Sequence, residues 1–199
     1  MPLSGTTSGA DQVITVVASS HGSTTATLQA WHRVSGGWRT SGPSVTAHLG
    51  SGGVGRASEG STKTPAGSFT LTQAFGHDRD PGTRLPYTHT TPDDWWISQS
   101  SSPLYNTRQR CASHCGFTRG DPNEHLYYET PYYNYAVVID YNTRNAPGGV
   151  HPGAGSAFFL HVTDGAPTAG CVSVPQDRLV SILRWLRPGD HPRILIGVA

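Results

Sequence analysis

The chain has 199 residues, enough for one well-buried core, with a formal net charge of +1 and only 14% charged side chains. That balance gives no support to a nucleic-acid binder or to electrostatic anchoring on a membrane. No run approaches the roughly 20 apolar residues that cross a bilayer, so no intrinsic membrane segment is expected.

The 24 glycines and 15 prolines, with serine and threonine filling the space between short apolar runs, describe a turn-rich, mostly β protein. Residues 1–10 have neither a basic start nor an apolar core and read as a flexible N-terminal segment without a signal or anchor, ahead of one domain at 11–199. Residues 11–18 (DQVITVVA) and 25–31 (TATLQAW) predict two strands around the turn Ser19 to Ser23, with His32 to Trp38 continuing the second strand. The glycine-rich run from Gly50 to Gly67 lacks the order of a phosphate-binding loop, which rejects nucleotide binding there. Ser68 to Thr72 predicts a short strand.

From about Phe75 to Pro131 the sequence is irregular, a long excursion of the kind that usually serves function. Tyr135 to Asp140 and Ser156 to Val162 are strongly apolar and predict buried strands. Leu179, Ile182, Leu183 and Leu186 form one apolar stripe at helical spacing, ended by Pro188-Gly189, and Arg193 to Val198 returns as a last strand. Ser173 and Gln176 have the spacing of a capping box, with Pro175 in the first turn and Asp177 near the positive end.

Three cysteines sort by spacing. Cys111 and Cys115 lie four apart in a polar stretch where a local disulfide is favoured, which leaves Cys171 as an odd thiol. A zinc site from Cys111, His114, Cys115 and His125 is the alternative, although its spacing matches no familiar zinc motif. A thiol needs a base and a positive local potential to become a nucleophile. His161, inside an apolar strand, is the candidate base; His151, in a Gly/Pro-rich loop, is the alternative. Placed just before a helix cap at Ser173, Cys171 is expected to feel unpaired N–H groups and the helix dipole. The N–H groups of Gly170 and Cys171 are the expected receivers of an oxyanion.

The order of a strand histidine, then Thr168-Ala169-Gly170-Cys171, then a helix resembles the YkuD-like L,D-transpeptidase catalytic domain. Thr64-Pro65-Ala66-Gly67-Ser68-Phe69 reproduces that family's upstream Thr-Pro-x-Gly-x-Phe signature, and the similarity runs from about Val13 to Val198. The resemblance implies a β-sandwich-like fold with a helix after the catalytic cysteine, and a two-step reaction on peptidoglycan stem peptides. Cys171 would form a thioester with release of D-alanine, and an amine of a neighbouring stem would resolve it into a cross-link. His161 would serve as base, the Val162 carbonyl as its orienting partner, and Gly170 and Ala169 as the backbone of the oxyanion site. Acylation by carbapenems and an extracytoplasmic location follow by the same resemblance, and no cofactor or metal is expected.

Two positions depart from the family pattern: Ala169 stands where histidine is common, and Ser173 where arginine or asparagine is common. The ten-residue gap from His161 to Cys171 is also shorter than in many members. Thr168, Ser173, Tyr141, Asn142 and Trp96 are candidate substrate contacts, and Trp95-Trp96, Tyr127-Tyr128 and Tyr132-Tyr133 are candidate walls of a groove. Arg56 and Arg119 are weaker candidates for binding a substrate carboxylate. Hydrolysis of the same thioester, or a wall-binding module with an inert cysteine, are the alternatives that the sequence leaves open.

Overall fold

A computed structural model describes every residue of the chain except Ser8. It opens with the antiparallel hairpin of β1 (Gln12–Ala18) and β2 (Thr25–Val34), whose alternating side chains put Leu28 and Ala30 inside. The second strand does not run on to Trp38. Gly36, at φ +86, reverses the chain into β3 (Gly37–Thr40), which pairs Trp38 back against Arg33.

After β4 (Val45–His48), the two-residue strands β5 (Val54–Gly55) and β6 (Thr64–Pro65) pair in parallel, and β7 (Gly67–Thr70) covers most of the expected strand at 68–72. The irregular stretch contributes β8 (Ala74–Gly76), β9 (Tyr87–His89), β10 (Asp94–Trp96), β11 (Arg108–Arg110) and β12 (Glu124–His125). The two apolar runs become β13 (Ala136–Val138) and β14 (Phe159–Val162), followed by β15 (Val172–Val174), helix α1 (Gln176–Trp185) and β16 (Arg193–Val198).

Among the described residues, strands in the order β7-β16-β1-β2-β4-β15-β14-β13-β8-β9 form one curled sheet, with β3 attached to β2. The protein is therefore mostly β with one helix near its C-terminus, as the sequence predicts.

Strand alternation gives the centre of this sheet two distinct faces. One carries Val137, Leu160, Val172 and Val174; the stripe of α1, Leu179, Ile182 and Leu183, with Leu186 just beyond it, belongs to the same core. The other carries Ala136, Val138, Phe159 and His161, and the pairing of His161 with both Ala136 and Ser173 puts Cys171 on it as well. The long excursion roofs this second face. Phe75 and Trp96 meet the Phe159 ring edge-on at 5.0 and 4.9 Å, and Leu126 and Tyr133 complete the cluster.

The roof has its own small sheet, β11-β10-β12, tied at one buried carboxylate. Asp94 accepts hydrogen bonds from Arg108 at 2.6 Å and Arg110 at 2.8 Å. Burial opposes its charge, but Arg110, Thr91 and Arg108 outweigh it and hold the carboxyl below the usual range. A disulfide joins Cys111 and Cys115 across a Cα–Cα distance of 5.7 Å. Both sulfurs are thereby consumed, which removes them as zinc ligands, and His125 stacks on Trp95 instead.

The start of α1 differs from the sequence reading. Ser173 is not its cap: it lies inside β15, paired with His161 and His48, and the helix begins at Gln176 behind Pro175 with no side-chain cap. The apolar pattern Val172-Ser173-Val174 suits a buried strand, and pairing with β14 captures it. The positive end of the helix therefore begins five residues beyond Cys171.

Candidate active site

A cavity of about 470 Å³ opens between the roof and the second sheet face. His161 enters from β14, Thr168 to Cys171 from the connection into β15, and Ser173 from β15 itself; Glu124, Tyr132 and Tyr133 face them from the roof. Parallel neighbours in a sheet present paired side chains on the same side. The chain thus uses the β14-to-β15 crossover to set the thiol and the imidazole on one surface.

Cys171 is 8% exposed. Its sulfur accepts the Phe159 N–H at 3.3 Å, and the thiol donates to the Ala157 carbonyl at 3.3 Å. Burial, with the Glu124 charge adding to it, pushes the thiol well above its ordinary pKa, against the weaker help of the Phe159 N–H. Burial thus favours the thiol form, and the expected help of a nearby helix end is missing, because that end is displaced by the whole of β15.

His161 is 7% exposed, and its Nδ1 lies 2.8 Å from the Val162 carbonyl. A carbonyl can only accept, so Nδ1 carries the proton and Nε2 the free lone pair. Burial lowers the imidazole pKa, against smaller opposing effects of Val162 and Asp164. The ring is held edge-on by Tyr133 at 5.5 Å and Tyr132 at 6.1 Å. The Cys171 thiol and the His161 imidazole, oriented through Nδ1, thus line one cavity.

Both signature segments converge on the backbone at Cys171. Thr168 Oγ1 donates to the Cys171 carbonyl at 2.7 Å and accepts the Gly170 N–H at 3.1 Å. Thr64 Oγ1, from the upstream signature, accepts the Gly50 N–H at 2.8 Å and reaches the same carbonyl at 3.4 Å. The Gly170 N–H is therefore engaged, which corrects its expected availability to an oxyanion. Outside the strand ladders, no acceptor for the Cys171 N–H is found among the described residues.

Gly170 has a steric reason instead. Its φ is +142, and a Cβ there would stand 2.8 Å from the Phe158 ring and 3.3 Å from the Lys63 carbonyl. Gly170→Ala is expected to destabilise the fold by about 1–3 kcal/mol and to slow modification of Cys171. Thermal melts and alkylation kinetics check this.

Thr168, Ala169, Gly170 and Ser173 line the cavity, whereas Val162 meets the site through its carbonyl. The other substrate candidates do not line it. Trp96 is buried under the roof, its indole N–H donating to Asn106 Oδ1 at 2.9 Å. Tyr141 bonds the Ala154 carbonyl at 2.8 Å, and Asn142 bonds the His151 and Gly155 carbonyls at 3.0 and 2.8 Å, so both brace the loop at 151–155. That loop leaves His151 exposed, outside the cavity lining. Arg56 is exposed and Arg119 lies over Trp95, also away from the lining.

Sequence reasoning missed the four carboxylates of the cavity lining, Glu124, Glu59, Glu129 and Asp164. Tyr105 and Ser156 donate to Glu59, and Tyr132 donates to Asp164 at 3.0 Å. Glu124 sits in the irregular excursion, where no periodicity marks it. The pairing of β12 with β10, Glu124 opposite Trp96, turns it toward the site.

Comparison with curated proteins and with solved structures gives no match. The family model described as L,D-transpeptidase catalytic domain (YkuD) matches residues 32–196. That span takes in both signature segments, His161, Cys171 and every strand of the cavity floor, and the chain belongs to the L,D-transpeptidase catalytic-domain family.

Proposed function

We propose that the protein is an extracytoplasmic L,D-transpeptidase that cross-links peptidoglycan stem peptides through a thioester on Cys171. The observation that carries this reading is the placement of the Cys171 thiol and the His161 imidazole on one face of adjacent parallel strands, in one cavity, with Nδ1 fixed by the Val162 carbonyl.

In acylation, the thiol leaves the Ala157 carbonyl, gives its proton to His161 Nε2 and attacks the carbonyl after the L-residue of the donor stem. The imidazolium then protonates the departing D-alanine amine. The Cys171 N–H receives the developing oxyanion, and the Thr168 and Thr64 hydroxyls keep the adjoining peptide unit in place by holding the Cys171 carbonyl. The Cys111–Cys115 disulfide suits an oxidising compartment, where this substrate lies.

The test is chromatography with mass detection of a tetrapeptide donor incubated with the protein and a diamino acceptor. Free D-alanine and an amide-linked product are expected; tripeptide with free D-alanine and no amide would replace transfer by hydrolysis.

A further inference from the structure

The cavity carries four carboxylates, Glu59, Glu124, Glu129 and Asp164, and no lysine or arginine in its lining. Two are occupied, Glu59 by Tyr105 and Ser156, and Asp164 by Tyr132 and the Ala166 N–H. Glu129 is exposed at the rim. Glu124 differs from all three. Half-buried in the wall, it pairs with no cation among the described residues and accepts one side-chain hydrogen bond there, from Tyr133 at 2.6 Å. Its other carboxylate oxygen has no side-chain partner among the described residues. Tyr133 also lies against His161 and Phe159, so Glu124 is held from the same residue that holds the base.

We propose that Glu124 receives the cationic amine of the acceptor and takes its first proton, so that the cavity selects an ammonium-bearing nucleophile over water. This rests on the acyl-transfer reading above. The amine arrives as an ammonium and loses one proton to the Glu124 carboxylate. The neutral amine attacks the thioester carbonyl, a C–N bond forms, and the second proton passes to His161. The C–S bond then breaks, the thiolate takes the proton from His161, and Glu124 returns its own to solvent. One acyl group moves from sulfur to nitrogen and no oxidant or cofactor enters.

The titratable groups that share the cavity with Glu124 or act on it are Tyr133, Glu129, Glu59, Cys171 and His161. Burial raises its pKa to about 7, the Glu129 and Glu59 charges add to this, and the Tyr133 hydroxyl opposes it. The carboxylate is therefore close to balanced for accepting a proton near neutrality.

The experiment compares the parent, Glu124→Gln and Glu124→Asp in three reactions of one thioester: its formation from a tetrapeptide donor, its aminolysis by N-acetyl-lysine amide, and its aminolysis by hydroxylamine, which is uncharged at neutral pH. For Glu124→Gln, lysine transfer is expected to fall about 10²-fold relative to hydroxylamine transfer from the same thioester, whatever change the loss of the Glu124 charge makes in thioester formation. Glu124→Asp is expected to recover part of that loss. In the parent, lysine transfer is expected to fall as pH drops through about 7 and to level off above it, whereas Glu124→Gln should keep rising with the free amine. Unchanged lysine transfer in Glu124→Gln, an equal fall in all three reactions, or a parent rate that climbs without levelling would each overturn the proposal. A parent that forms no thioester would overturn the acyl-transfer reading itself.

Discussion

Replacing Cys171 with alanine is expected to reduce turnover by about 10⁴-fold or more while leaving the fold in place. Among the described residues Cys171 carries the only free thiol, so no other residue there can form the thioester. Its structural role is small: the side chain meets Phe159 and Ala157 in an aromatic cluster whose volume comes from Phe75, Trp96, Phe159 and Tyr133. The expected stability change is about 1 kcal/mol, in the ordinary range of point mutants. Product analysis and a thermal melt of the same sample separate the two effects.

His161→Ala is expected to slow acylation by about 10²–10⁴-fold, the usual contribution of a positioned base. A pH profile of the parent gives an independent check with a definite sign. The imidazole acts as base only when neutral, which holds above its pKa, and burial lowers that pKa from the ordinary 6.5. The acid limb of acylation should therefore lie below pH 6.5 and disappear in His161→Ala. An acid limb unchanged in that variant would assign the base to another group.

The sheet was legible where one rule decided the outcome. The apolar run in residues 11–18, the alternation in 25–31, the continuous apolar runs before Asp140 and Val162, and the stripe of Leu179, Ile182, Leu183 and Leu186 each name a strand or helix that the structure contains. The helix start was not legible, because Ser173 satisfies two rules at once. Its spacing to Gln176 suits a cap, and its place between two valines suits a strand; pairing with β14, a contact between residues twelve apart, decides for the strand.

The candidate pair Cys171 and His161 was legible because each breaks a local pattern: one is an odd thiol, the other a polar ring in an apolar strand. The roof was not. Trp96 and Glu124 lie opposite one another across β10 and β12, yet 28 positions separate them in sequence, and nothing local tells that one is buried and the other turned to the cavity. Tyr141 and Asn142 stood at the end of the right strand, but their polar groups are consumed by the loop at 151–155.

Intact-mass spectrometry after incubation with a carbapenem, on the parent and on Cys171→Ala side by side, tests the central claim most directly. The account predicts one covalent adduct on the parent and none on the variant. A parent that stays unmodified, with Cys171 also inert to alkylating reagents, or an adduct that persists in Cys171→Ala, would contradict it.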